Sequence, residues 1–255
     1  PEVSWEARAF LMTHPKVQGI MAGEGEATFF QLCEHYVRGT VALTEIPGIV
    51  LKDETGQVVA TPDRELLSMD ELPFCYEGLK DQPEAFAHRI LYYETSRGCP
   101  YRCSYCLSSV EKGLRFRSLP LVYRELAFFL KHRVLQVKFV DRTCNCNREH
   151  AMAVWRYLKD HDNGGTNFHF EIAADLLREE EIALIGQMRP GLIQLEIGVQ
   201  STNARTLGEI RRGADLERLT QAVLALKETG TVHKHLDLIA GLPYEDYGSF
   251  QRSFD

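Results

Sequence analysis

From about residue 90 onward, short runs rich in β-branched and aromatic residues alternate with stretches in which apolar residues recur every three to four positions. This alternation is typical of repeated β-α-β units that form a parallel sheet. The predicted strands are 90–93, 134–140, 167–172, 192–199 and 233–240, and the predicted helices lie near 119–132, 147–161, 176–188 and 214–229. A complete eight-unit barrel needs about 250 residues for itself, so we expect an α/β fold with a partial, TIM-like (β/α) barrel of about five strands.

The first 89 residues have a different pattern. An α-β-α piece is predicted from a helix at 4–13, a strand at 17–22 and a helix at 26–37. Residues 39–89 carry several prolines, acidic turns and short β-like runs at 48–51 and 58–60, which is typical of a connecting segment. We therefore predict three parts, namely residues 1–38, a linker at 39–89 and a barrel core at 90–255. Because the sequence begins with Pro1 and ends inside a helix predicted to begin at Tyr247, we expect a piece of a longer protein.

Charge and hydropathy limit the partners of the chain. The 29 Lys and Arg residues against 36 Asp and Glu residues give a net charge of −7, which disfavours binding to nucleic acid or to an anionic membrane. No apolar run approaches the roughly 20 residues of a membrane span, and the start lacks the pattern of a signal peptide. We therefore expect a cytoplasmic protein that acts on a small molecule.

The seven cysteines are an odd number in a chain too large to need disulfide staples, which favours metal binding or catalysis. Three of them, Cys99, Cys103 and Cys106, form a CxxxCxxC motif directly after the first predicted barrel strand. Only about 0.005 occurrences of this spacing are expected by chance in such a chain. Chemistry in β/α barrels is built from loops at the carboxyl ends of strands. Three thiolates there can hold a four-iron cluster and leave one iron open to a ligand.

A structural zinc site is the alternative reading of these cysteines. Such a site closes with four ligands. A histidine or one of the remaining cysteines could supply the fourth; those cysteines are Cys33, Cys75, Cys144 and Cys146.

The motif, with the aromatic Tyr105 before its third cysteine, resembles that of radical S-adenosylmethionine (SAM) enzymes. The resemblance implies that Cys99, Cys103 and Cys106 ligate a [4Fe-4S] cluster whose open iron binds SAM. One electron, from a donor such as flavodoxin or ferredoxin, then cleaves SAM to methionine and a 5′-deoxyadenosyl radical that abstracts a substrate hydrogen.

The strings at 198–201 and 237–243 resemble the branch of this superfamily that includes the oxygen-independent coproporphyrinogen oxidases. That resemblance implies that Glu171 and Arg212 hold the methionine end of SAM, that Gln200 and Asp237 hold the ribose hydroxyls, and that the Ala240–Gly241 backbone lies near the adenine. Taken alone, carboxylates such as Glu171, Glu196 and Asp237 could also be ion-paired barrel residues. Glu196 shares a strand face with Gly198 and Gln200, so it is expected to point inward.

At the end of the second barrel strand the sequence departs from the superfamily, because Asp141 and Arg142 replace the glycines of a turn that binds the SAM amino group. We expect Asp141 to accept that group instead. Cys144 and Cys146 flank this turn and could be a radical partner, ligands of an auxiliary cluster or buried thiols.

The turn at 23–29 and the segment at 70–74 resemble the branch whose barrel follows a cobalamin-binding domain. The resemblance implies that residues 1–38 are the last β/α unit of a Rossmann-like cobalamin-binding domain, so that cobalamin would bind only in the full-length parent. The implied reaction is hydrogen abstraction or methyl transfer on a small organic molecule. The alternatives are a porphyrin-type oxidoreductase or cyclase, a methylthiotransferase and a non-catalytic metal-binding module.

Overall fold

The computed structural model describes residues 3–109 and 113–255, which form two compact units, one ending at Ser68 and the other running from Met69 to Asp255. The elements of the first unit are α1 (Ala7–Thr13), β1 (Gly19–Met21), α2 (Glu26–Cys33), β2 (Ile49–Lys52) and β3 (Val58–Ala60). β2 lies between β1 and β3 and is antiparallel to both. A small apolar core consists of Ala7, Leu11, Ile20 and Val50.

The predicted strand and both predicted helices of this first unit are therefore present, with the second helix continuing from α2 into a single π-helical turn at Glu34–Arg38. The β-like runs that the sequence placed in a linker form β2 and β3, which complete the sheet that β1 begins. The boundaries 1–38, 39–89 and 90–255 stay a prediction.

The second unit contains a parallel sheet of five strands connected by helices. Its elements are β4 (Ile90–Tyr93), β5 (Ser96–Arg97), β6 (Arg115–Phe116), α3 (Leu119–Lys131), β7 (Gln136–Phe139), α4 (Arg148–Asp160), β8 (Asn167–Ile172), α5 (Glu179–Gly186), β9 (Ile193–Gln200), α6 (Ala204–Glu209), α7 (Leu216–Thr229), β10 (His233–Leu238) and α8 (Tyr247–Phe254). The strand order is β4-β7-β8-β9-β10, and every pair is parallel. Each strand lies beside its predecessor, as in a (β/α) barrel, which confirms the predicted fold class.

The two faces of this sheet differ in chemistry because side chains alternate along each strand. In β9 the apolar residues at 193, 195, 197 and 199 are buried, whereas Gln194, Glu196, Gly198 and Gln200 are half-buried on the opposite face. The buried face packs with the helices into one core that includes Phe129, Trp155 and Phe168. Full burial of each such side chain contributes about 1.5–3 kcal/mol. The opposite, polar face is therefore the candidate location of a functional site.

Among the residues that the structure describes, no helix is long and apolar enough to cross a membrane.

Candidate functional site

The CxxxCxxC loop leaves the carboxyl end of β4 and is closed at its base by an antiparallel ribbon, in which β5 pairs with β6. Gly98, directly before the first cysteine, has φ +94°, and a Cβ at this position would lie 2.1 Å from the carbonyl oxygen of Gly113. Only glycine fits this close approach of two backbone segments. On its far side the loop is tied to the end of α6, because the backbone N–H of Ser104 donates to the carbonyl of Ile210 at 3.0 Å.

All seven cysteines of the chain are free thiols. Within the loop, Cys103 is buried, whereas Cys99 and Cys106 are half-buried. Cys99 Sγ lies 3.6 Å from Thr143 Oγ1, which comes from the turn after β7. The backbone N–H of Cys106 donates to the carbonyl of Cys103 at 3.1 Å. The ribbon and these contacts hold the three thiols in one loop at the carboxyl edge of the sheet.

Within residues 3–109 and 113–255, no three His, Cys, Asp or Glu side chains form a group that could hold a metal ion as they stand. The chemistry of the donor set nevertheless fits a [4Fe-4S] cluster. Three unpaired thiols in one loop are the ligands that such a cluster takes, and three protein ligands leave one iron open.

The loop is also held by Asp141, at the end of the second barrel strand. This side chain is buried, and its Oδ1 accepts the backbone N–H groups of Thr95 at 2.7 Å and Ser96 at 3.0 Å. Its Oδ2 accepts a short hydrogen bond from the hydroxyl of Thr95. Burial raises the pKa of Asp141, and these hydrogen bonds oppose the rise. The carboxylate that the sequence assigns to the SAM amino group is thus engaged by the start of the cysteine loop.

Next to Asp141, Cys144 is buried and Cys146 is half-buried. Burial raises the pKa of both thiols, and the Cys99 thiol adds to the rise at Cys146. Cys146 therefore lies near the cysteine loop.

Three carboxylates occupy the polar face of the sheet, and they influence one another. Burial raises the pKa of Glu171 and of Asp237, and in both cases the charge of Glu196 raises it further. Glu196 itself is also penalised by burial, but the hydrogen bond and charge of Lys138 lower its pKa. The structure therefore brings Glu171 and Asp237 together around an ionised Glu196.

Lys138, His169 and Glu196 form a charged group on three neighbouring strands. Lys138 Nζ donates to Glu196 Oε2 at 3.0 Å. His169 Nε2 lies 2.9 Å from the same oxygen. Burial and the charge of Lys138 lower the pKa of His169. This imidazole is therefore neutral at pH 7.

Gln200, the last residue of β9, has a backbone conformation that the amino-acid sequence does not predict. Its φ is +71°, in the left-handed region that non-glycine residues rarely adopt. The register between β9 and β10 shifts at this level, and the backbone N–H of Ile239 donates to the carbonyl of Gln200 at 3.0 Å. The amide of Gln200 lies over Gly198, where a Cβ would collide with it. Such strain at a strand end is typical of functional sites.

Arg212 connects β9 to the cysteine loop. Its Nη2 donates to the carbonyl of Gly198 at 3.1 Å, and its guanidinium lies 4.6 Å from the ring centre of Tyr101. Burial and the charge of Asp175 raise the pKa of Tyr101 to about 12. Tyr105 is 42% exposed, and burial followed by the neighbouring Cys103 raises its pKa. Both tyrosines are therefore neutral near pH 7.

The structure thus places most predicted site residues at one edge of the sheet. The turn at Ala240 and Gly241 follows β10 directly, and Ile239 ties it to Gln200. Sequence reasoning did not single out Lys138, Tyr101 or Asp175. The polar alternation of β7 could have indicated Lys138, but Asp175 lies in a short 3₁₀ turn that carries no such signal.

Comparisons with known proteins bear on the family and on the fold of the chain. The family profile described as "Radical SAM superfamily" matches residues 93–255. An uncharacterised methyltransferase of Pyrococcus horikoshii is 27% identical over 251 residues, which cover 96% of this chain and 53% of the relative. The cobalamin-dependent radical SAM methyltransferase TokK of Streptomyces tokunonensis is 26% identical over 272 residues, covering 98% of this chain and 38% of the relative.

Among solved structures, the cobalamin-dependent S-adenosylmethionine radical enzyme OxsB, with aqua-cobalamin and S-adenosylmethionine bound, superposes with a TM-score of 0.76 at 20% identity. The match covers 99% of this chain and 37% of that one, and it shows a shared fold. The chain spans about half, or less, of the length of the proteins it matches.

Proposed function

Because the chain belongs to the radical SAM superfamily, we propose that it is the core of an enzyme that reductively cleaves S-adenosylmethionine at a [4Fe-4S] cluster and acts on a small organic molecule. When bound, the cluster supplies an electron and SAM supplies the 5′-deoxyadenosyl radical. The observation that carries the proposal is the loop of three free thiols at the carboxyl end of β4, beside the polar strand ends of the same sheet.

In this proposal each group near the loop has a distinct task. Cys99, Cys103 and Cys106 hold the cluster, and Tyr105, directly before the third cysteine, belongs to the cofactor-binding site. Gln200 and Asp237 face the ribose hydroxyls, and the turn at Ala240 and Gly241 lies near the adenine. Arg212 binds the carboxylate of SAM, because its planar guanidinium suits a carboxylate.

Asp141 has a positioning role in the proposal, and Glu171 has a binding role. Asp141 holds the first residues of the cysteine loop through Thr95 and Ser96. Glu171 remains assigned to the methionine end of SAM.

We propose methyl transfer as the reaction of the full-length parent, with radical oxidoreduction or cyclisation as the alternative. The names of two relatives, both methyltransferases, support the first. Cobalamin would be a cofactor of that parent only, with residues 1–38 as a remnant of its binding domain, 39–89 as a linker and 90–255 as the core. The proposed partners are a small-molecule substrate and a flavodoxin- or ferredoxin-type electron donor, in the cytoplasm.

Anaerobic reconstitution with iron and sulfide tests the proposal. We expect about four iron and four sulfide per chain, and formation of methionine and 5′-deoxyadenosine from SAM after addition of dithionite. Cys103→Ala should abolish both, whereas Cys75→Ala, which changes an exposed thiol outside the loop, should change neither. One zinc per chain with no SAM cleavage would instead identify a non-catalytic metal-binding module.

A further inference from the structure

The cysteine loop and the segment that returns beside it expose large apolar side chains to solvent. Tyr105 and Leu107, on either side of the third cysteine, are 42% and 63% exposed. Leu114 is 39% exposed, and its Cα would lie 3.5 Å from a Cβ at Gly98, directly before the first cysteine. Single exposed apolar residues are ordinary on a protein surface, but three around one short loop are typical of an interaction surface.

Two arginines flank the contact that ties this loop to the end of α6. In this contact the backbone N–H of Ser104 donates to the carbonyl of Ile210 at 3.0 Å. Arg102 lies two residues before the donor, and Arg211 directly follows the acceptor. Both side chains are exposed, and within residues 3–109 and 113–255 neither guanidinium forms an ion pair or a hydrogen bond. In a chain with a net charge of −7, these two cations are therefore free to meet carboxylates of a partner.

The position of this surface restricts the kind of partner. The proposed reaction needs an electron from outside the chain, and the rate of electron transfer falls steeply with distance. Cys106 lies between Tyr105 and Leu107 in the sequence and is half-buried. A partner that covers these two side chains would therefore come close to a proposed cluster ligand without entering the polar face of the sheet.

We infer that an acidic, flavin-carrying electron donor of the flavodoxin type docks on this donor surface, which consists of Arg102, Tyr105, Leu107, Leu114 and Arg211. The inference rests on the proposed function and assigns its electron donor a place on the chain. Carboxylates of the donor suit the two guanidiniums. The apolar dimethylbenzene edge of a flavin suits the exposed apolar side chains, whereas an acidic iron–sulfur carrier has no such edge. In the transfer, the reduced flavin loses one electron and the cluster gains it.

Two reductants test the role of the arginines on the reconstituted chain. Saturating dithionite reduces the cluster without a docking surface, whereas reduced flavodoxin needs one. The double variant Arg102→Glu with Arg211→Glu should lower flavodoxin-driven SAM cleavage about tenfold or more at low ionic strength. Its iron content and its dithionite-driven cleavage should stay those of the wild type. The matched control is Arg156→Glu with Arg218→Glu, which makes the same change in net charge at exposed positions of α4 and α7.

Binding provides a readout that does not depend on SAM cleavage. Oxidised flavodoxin is titrated into the reconstituted chain by anaerobic calorimetry at low and at high ionic strength. Added salt should weaken binding to the wild type, and binding to the arginine double variant should be weak at both ionic strengths. Leu107→Ser should weaken the binding of flavodoxin but not that of an acidic ferredoxin. Leu224→Ser, which changes a leucine of α7 that is 54% exposed, is its control and should change neither.

Three results would overturn the inference. The first is a wild-type chain that cleaves SAM with dithionite but does not bind flavodoxin. The second is an arginine double variant that binds flavodoxin like the wild type, or that loses dithionite-driven cleavage to the same extent as flavodoxin-driven cleavage. The third is an equal loss of flavodoxin and ferredoxin binding in Leu107→Ser, which would exclude a contact with the flavin. If the wild-type chain carries its cluster but cleaves no SAM with dithionite, the proposed function itself fails.

Discussion

The backbone N–H of Thr95 lies 2.7 Å from Asp141 Oδ1 and donates a hydrogen bond to it. With the contacts of Ser96 and the Thr95 hydroxyl, this carboxylate binds the end of β7 to the segment that enters the cysteine loop. Loop geometry in this fold therefore depends on a residue outside the motif.

Asp141→Ala should lower both stability and cluster content. It leaves two backbone N–H groups of a buried segment without an acceptor, a loss of about 2–5 kcal/mol in the free energy of unfolding. Urea unfolding and iron analysis after reconstitution measure the two effects. Asp141→Asn keeps an acceptor oxygen and should retain most of both. If Asp141→Asn keeps its iron but loses SAM affinity, the carboxylate contacts SAM, as the resemblance implies, and is more than a support of the loop.

Gly98→Ala should prevent the cysteine loop from closing. The new Cβ would meet the carbonyl of Gly113, and the residue would also hold a φ of +94°. Gly230→Ala separates these causes, because Gly230 has φ +66° with open space around its Cβ position, so only the backbone strain of about 1 kcal/mol applies. We expect Gly98→Ala to lose most of its iron and Gly230→Ala to keep it. Equal iron content in the two variants would contradict the steric explanation.

A buried ion pair joins Arg117, directly after β6, to Glu125 of α3. Arg117 Nε and Nη2 donate to the two oxygens of Glu125 at 2.8 and 2.6 Å, and the hydroxyl of Tyr93 donates to Glu125 at 2.7 Å. Removing one partner of such a pair leaves the other buried and unpaired. Glu125→Gln should therefore lower the free energy of unfolding by about 3–5 kcal/mol in urea titrations.

Arg124→Gln is the matched control for this pair. Arg124 is 65% exposed and lies 3.7 Å from the same carboxylate, so its loss should change stability little. Comparable losses in the two variants would show that burial does not set the contribution of Arg117.

The sequence predicts the five barrel strands to within about two residues, since their apolar runs and polar boundaries are local signals. α6 escapes prediction because Ala204–Glu209 is too short to show helical periodicity. The candidate site likewise combines features that the sequence predicts with features that it does not. The cysteine spacing is local and readable, but the engagement of Asp141 by Thr95 depends on a partner 46 residues away. The left-handed backbone conformation of Gln200 could not be predicted either, because glutamine carries no signal for that conformation.

The last prediction concerns the charge state of His169. Burial and Lys138 lower its pKa, while Glu196 opposes them. Because its folded-state pKa lies below the unfolded value of 6.5, the unfolded chain takes up the proton first as pH falls. The contribution of neutral His169 to the free energy of unfolding is therefore fully present above pH 6.5 and is lost as the pH falls below that value. In urea titrations, His169→Gln should therefore reduce the loss of free energy of unfolding that the wild type shows just below pH 6.5.

Two substitutions test the causes of this shift in opposite directions. Lys138→Met removes a charge that lowers the pKa of His169, so imidazole resonances in NMR titrations should report a higher pKa than in the wild type. Glu196→Gln removes a charge that raises it, so the pKa should fall further. His233→Gln, which changes an exposed histidine at the start of β10, serves as the reference variant and should leave the titration unchanged. If Lys138→Met and Glu196→Gln moved the pKa in the same direction, a change in burial would account for both, and the electrostatic assignment would be wrong.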